Sequence, residues 1–121
     1  MGLVPSCLRK RFYKFAIKTF GKASAAAYKL PCGLYLKYGS DVRLSEALAM
    51  RYVAANTTIP VPRVLDTLQD DGGVMILMTA LPGTPLFDVL ADLSDADWDR
   101  IQETLHRWFD QPRALPPPHT I

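Results

Sequence analysis

Lys37 stands inside an otherwise apolar run, Gly33-Leu34-Tyr35-Leu36-Lys37-Tyr38-Gly39. Read at period two, Leu34, Leu36 and Tyr38 share one face of a strand and Tyr35 and Lys37 the other, with a glycine at each end. An ammonium in such a strand costs roughly several kcal/mol to bury unpaired, so it reaches water at a sheet edge or meets an anion. Glu46 offers one. On a helical wheel over residues 43–55 it falls between Met50 and Val53, away from the stripe of Leu44, Leu48 and Tyr52. A strand lysine held by a carboxylate of the next helix suits phosphate chemistry, because the lysine reaches the phosphates of a nucleotide while the carboxylate fixes its position. The competing reading pairs Glu46 with Arg43 one turn earlier on a solvated face, worth a few tenths of a kcal/mol, and lets Lys37 snorkel to water. Spacing alone favours the second.

Other chemistry-bearing residues are sparse. Cys7 and Cys32 are too few and too far apart for a zinc knuckle, with no histidine at ligand spacing, so reduced thiols are expected and no metal site. The segment 21–27, Gly-Lys-Ala-Ser-Ala-Ala-Ala, lies where a phosphate-covering loop would precede the Lys37 strand. It is neither G-x-G-x-x-G nor a Walker A, and reads as a plain loop. His106 falls beside polar residues, facing solvent.

The elements that position these residues follow from patterning. Residues 8–20 place Leu8, Phe12, Phe15 and Thr19 at helical spacing with cations between them. Ile59-Pro60-Val61-Pro62 forces extended backbone after the Glu46 helix. Residues 63–68 read as a strand, 69–73 as its turn and 74–78 as a fully apolar second strand, a hairpin in which Met75 and Met78 fill the core. Thr79-Ala80-Leu81-Pro82-Gly83 is an unpatterned crossing segment whose backbone groups suit a planar heterocycle or water. Thr84 is expected to cap a helix with Pro85 at its first position and Leu86, Val89, Leu90 and Leu93 inward. Ser94 and Asp97 read as the start of a second helix with Trp98, Ile101, Leu105, Trp108 and Phe109 as its stripe, ending at Gln111-Pro112 before the proline run 116–118.

The 121 residues, 49% of them hydrophobic, suffice for one small domain or part of a larger one. The net charge of +2 hides an asymmetry: residues 1–40 hold eight Lys/Arg and no acid, and residues 41–121 hold six Lys/Arg against all twelve acids. The basic block suits phosphates, anionic lipid or an import receptor. Residues 1–6 fit the loose myristoylation pattern and Cys7 suits a palmitoyl group, although Pro5 is awkward there. A solvated basic helix is the default reading, membrane contact and mitochondrial import the alternatives. No apolar run approaches the roughly 20 residues that span a bilayer, and the expected location is cytoplasmic.

Taken together, Leu30-Pro31-Cys32-Gly33-Leu34-Tyr35-Leu36-Lys37, Glu46-Ala47, Thr58-Ile59-Pro60-Val61-Pro62 and Met78-Thr79-Ala80-Leu81-Pro82-Gly83 resemble the amino-terminal lobe of the aminoglycoside phosphotransferase and choline kinase-like family, especially its fungal members. The resemblance covers about residues 28–118 and reverses the preference on Lys37. It implies an α+β, protein-kinase-like lobe of antiparallel sheet plus one helix, followed by the first helices of a truncated larger lobe. Residues 1–27 are then a basic amino-terminal segment, 28–83 the small lobe and hinge, and 84–121 the start of the helical lobe. It further implies ATP and magnesium as cofactors of the full-length family, Lys37 on the ATP phosphates with Glu46 paired to it, and the backbone of Thr79, Ala80 and Leu81 as an adenine-holding hinge.

Thr79 stands where many relatives carry an acid, a small departure since hinge contacts come from the backbone. The family's His-x-Asp catalytic loop and following metal-binding Asp have no counterpart: His106-Arg107-Trp108 lacks the Asp, and His119-Thr120-Ile121 closes the chain. The resemblance therefore implies a transferase cut short by truncation, a gene-model error or degeneration. It implies weak nucleotide binding, no catalytic or magnesium-ligating residues, no turnover by this chain alone, an unidentified hydroxyl acceptor, and self-association through Trp98, Trp108 and Phe109. The alternatives from another class are a non-catalytic module whose basic helix engages membrane or nucleic acid, the latter not expected, and a pseudokinase remnant docking a protein through its aromatic helix.

Overall fold

The computed structural model describes residues 5–20 and 27–116. The amino-terminal part of the myristoylation pattern (1–4), the small-residue loop over 21–26 and the end of the proline run (117, 118) lie outside them. Helix α1 (Ser6–Thr19) precedes strands β1 (Ala27–Leu30) and β2 (Leu34–Gly39), helix α2 (Leu44–Asn56), strands β3 (Val64–Asp70) and β4 (Gly73–Thr79), the short helix α3 (Leu86–Val89), a 3-10 turn (Leu90–Asp92) and helix α4 (Asp95–Ala114). Among the described residues the fold is thus α+β, with one four-stranded antiparallel sheet of order β1-β2-β4-β3 and four helices.

The sheet is built outward from β4, whose residues Val74 to Met78 are all buried. A strand buried on both faces needs cover on both, and two helices supply it. Leu36, Leu68, Met75 and Leu77 pack with Tyr13 and Ala16 of α1 on one side. Val74, Ile76 and Met78 pack with Val42 and Ala47 on the other, with Met50 of α2 beside them. Alternation along β4 therefore sends odd residues to α1 and even ones to α2.

The hairpin between β3 and β4 is tighter than its composition suggests. Its turn is Asp71-Gly72 alone, because the Asp70 carboxylate accepts from the Gly72 N–H (2.8 Å) and Gly73, at φ +133°, pairs directly with Asp70. Strand β1 was not anticipated. Ala27-Tyr28-Lys29-Leu30 has little alternation of its own and is recruited by the turn Pro31-Cys32-Gly33, in which Cys32 and Gly33 take φ +66° and +70°.

Three expectations for the last third of the chain are corrected. Pro85, not Thr84, occupies the cap position of α3, and no side-chain cap forms. That helix lasts four residues before a 3-10 turn, with Leu86 and Leu90 exposed, because no described surface faces them. Helix α4 has the expected Ser94–Asp97 capping box, yet runs past Pro112 to Ala114. A proline in the last turn removes only one hydrogen bond there, and the turn closes through Leu115 N–H to the Pro112 carbonyl.

Candidate functional site

Lys37 and Glu46 meet. Lys37 Nζ donates to Glu46 Oε2 at 2.6 Å, with each side chain about one-third exposed. Three local features bring them together. Lys37 projects from the second strand, on the face that α2 covers, opposite Ile76 of β4. The β2–α2 link is short and closed by Val42 N–H to the Gly39 carbonyl, with Val42 buried as an anchor. Helix α2 then turns its Ala47 side inward and its Leu44 and Leu48 outward, the latter 56% exposed, so Glu46 lies at the rim of the buried face. The sequence-level alternative of an Arg43–Glu46 pair is not formed among the described residues.

The pair borders a cavity of about 370 Å³ lined by Lys37, Tyr38, Gly39, Ser40, Asp41, Val42 and Glu46. A lysine has three donors, of which Glu46 takes one, so the ammonium retains capacity toward an anion in that cavity. The lining also carries Asp41. One cation against two carboxylates makes the cavity a weak anion site by itself.

At the other end of β4 the crossing segment is more committed than its composition suggests. Thr79 N–H donates to the Arg63 carbonyl (3.0 Å), Thr79 Oγ1 accepts from Arg63 N–H (2.9 Å), and Ala80 N–H donates to the Gly33 carbonyl (2.8 Å). Of the three amides, Leu81 N–H is the one without a partner among the described residues, and its side chain is 48% exposed. Lys37 lies on β2 opposite Ile76, and this amide lies two residues beyond the other end of β4, where Leu34 pairs with Thr79.

Patterning did not single out the polar cluster on the opposite face. Asp66 of β3 is the one buried charged residue among those described. It accepts from Tyr13 Oη at 2.6 Å, forms a short ion pair with Arg9 through Nη1, and accepts from Thr67 N–H at 2.9 Å. Beside it, Asp70 takes Lys14 Nζ at 3.1 Å and Tyr38 Oη at 3.2 Å. Burial alone would raise the Asp66 carboxyl, but the hydrogen bonds from Tyr13 and Arg9 outweigh it and hold the group below the ordinary range. Burial, reinforced by the Asp66 carboxylate, pushes the Tyr13 phenol well up. The visible signal was an aspartate inside an apolar strand and a basic helix with no acid of its own.

Among the described residues no group of three or more His, Cys, Asp or Glu is placed to hold a metal, and no helix is long and apolar enough to cross a membrane. Cys7 and Cys32 are free and exposed. His106 lies on the exposed side of α4. No protein-family model, curated protein or solved structure matches the chain.

Proposed function

We infer that this chain is the nucleotide-phosphate-contacting lobe of a small-molecule kinase of the aminoglycoside phosphotransferase and choline kinase-like type. The observation that carries the reading is the 2.6 Å contact between a lysine on a central antiparallel strand and a glutamate on the following helix, at the mouth of a cavity. In such an enzyme Lys37 contacts the ATP phosphates, Glu46 holds the ammonium in place, and the segment 79–81 borders the base. The pattern at Thr79 to Leu81 leaves the Leu81 amide for that contact. Magnesium would supply the positive charge that the cavity lining lacks. The acceptor-positioning Asp and the metal-binding Asp of the family have no equivalents in these 121 residues, so the reading assigns nucleotide contact and no transfer step.

Titration calorimetry of the purified chain with ATP tests the assignment. Weak binding is expected, lost in Lys37→Met and reduced in Glu46→Gln. Binding that ignores Lys37→Met, or the absence of any binding, would overturn it. Incubation with Mg-ATP and aminoglycosides or choline is expected to yield no phosphorylated product.

A further inference from the structure

Helix α1 uses only half of its circumference to reach the sheet. Arg9, Tyr13 and Ala16 point at β3 and the core, and the stripe formed by Leu8, Phe12 and Phe15 points away, 52%, 64% and 64% exposed. Arg11 and Lys18 are exposed beside that stripe, and neither has an ion-pair partner among the described residues. The two acids facing α1 from the sheet, Asp66 and Asp70, are already engaged by Arg9, Tyr13, Lys14 and Tyr38. Between α1 and the sheet the stripe continues into an apolar cavity of about 460 Å³, where Leu8 and Phe12 face Leu30, Leu34 and Leu77.

We propose that this face of α1 docks on an anionic lipid bilayer, with Leu8, Phe12 and Phe15 entering the headgroup–acyl boundary and Arg11 and Lys18 meeting lipid phosphates. An in-plane helix with a crest of aromatic and aliphatic side chains flanked by cations has that binding mode. Charge selects this occupant over the others. A second copy would set the same cations against one another, and a nucleic acid would meet three large apolar groups where phosphates need donors. Helix α4 exposes Trp98, Leu105 and Phe109 too, but its five acids against three arginines make it a poor match for the same surface. Lys37 and Glu46 lie on the sheet face away from α1, so docking leaves their cavity open and the inference stands independently of the nucleotide reading.

Co-sedimentation of the full chain with phosphatidylcholine vesicles, with and without phosphatidylserine, tests it. Binding only to the serine-containing vesicles is expected. At about 1 kcal/mol per cation, Arg11→Gln/Lys18→Gln lowers the partition about 30-fold. Phe12→Ser/Phe15→Ser lowers it about tenfold or more with helical circular dichroism retained, and Phe15→Ser alone, which spares the cavity, serves if the pair unfolds. The proposal is overturned by equal binding to both vesicle types, by no vesicle binding, or by binding indifferent to Phe15. Tighter capture of an RNA oligomer than of vesicles would also overturn it, as would a dimer in sedimentation velocity that the phenylalanine variants dissolve while vesicles remain unbound.

Discussion

Lys37 and Glu46 form a contact whose value is positional. With each side chain about one-third exposed, a surface ion pair of this kind is worth about 0–1 kcal/mol, too little to organise a sheet. Lys37→Met should therefore shift chemical denaturation by less than about 1 kcal/mol while removing nucleotide affinity, a split read by urea titration and calorimetry on the same sample. Gly73 is the opposite case. A β-carbon there would lie 2.2 Å from the Gly39 carbonyl oxygen, at a φ that L-residues avoid, whereas one at Gly33 would meet open space. Gly73→Ala should cost about 1–3 kcal/mol or more, from strain plus the forced separation of β2 and β4, and Gly33→Ala about 1–2 from its left-handed φ alone. Thermal melts of the two variants check that order. Period-two and period-3.6 reading placed Lys37 on a strand and Glu46 on the sheet-facing edge of a helix, since both placements depend on near neighbours. Whether the two touch did not follow from spacing, which favoured the solvated alternative. It depends on how β2 enters α2, a geometry set by the burial of Val42 and the Gly39 carbonyl.

At the scale of elements, α1 shows how a legible helix can hide its orientation. Its most apolar stripe, Leu8, Phe12 and Phe15, faces outward, and the side that binds the sheet carries Arg9 and Tyr13. The deciding partner, Asp66, lies in β3, far along the chain, and nothing local to α1 announces it. Strand β1 was missed for a related reason, since four residues with weak alternation acquire their identity by pairing with β2. The contacts of Arg9, Tyr13 and Lys14 with Asp66 and Asp70 have a definite pH dependence. The folded-state Asp66 and Asp70 carboxyls both lie below their ordinary value of 3.8, so the stability they confer is present above about pH 4 and is lost as pH falls through the folded values. The Tyr13 phenol is raised above its ordinary 10.0, so its contribution is present below that value and is lost as pH rises beyond it. Hydrogen exchange along an acid titration should thus show the α1 amides losing protection before those of β4, and Asp66→Asn should remove most of that acid dependence. Asp66→Ala strands the Arg9 charge against the sheet and should cost about 3 kcal/mol or release the helix outright. Exchange in which α1 and β4 open together at every pH would show that the helix belongs to the core.

For the whole molecule, cohesion is uneven, and the sheet with its two covering helices is one unit while α4 is nearly another. No residue of α4 is buried. Its hydrogen bonds to the rest, among the described residues, lie at the far end of α2, where Gln111 Nε2 donates to Thr58 Oγ1 and Thr58 N–H to Gln111 Oε1, both at 2.8 Å, and Tyr52 Oη donates to the Pro116 carbonyl at 3.0 Å, while Ile101 and Trp108 are half-buried. The capping box and the length of 20 residues let the helix persist with little tertiary support, because near this length propagation begins to repay nucleation. Exposed side-chain bonds of this sort contribute about 1 kcal/mol apiece and do not couple two units into one cooperative transition. Unfolding should therefore proceed in two steps, α4 melting first and broadly, the sheet later and sharply. Both tryptophans, Trp98 and Trp108, lie on α4, so tryptophan fluorescence should report the early step while hydrogen exchange of the β4 amides reports the late one. Gln111→Ala should advance the fluorescence transition and leave the sheet transition in place. Superposed curves from the two probes, in the wild type and in Gln111→Ala alike, would mean that α4 is held by more than the contacts at Thr58 and Tyr52.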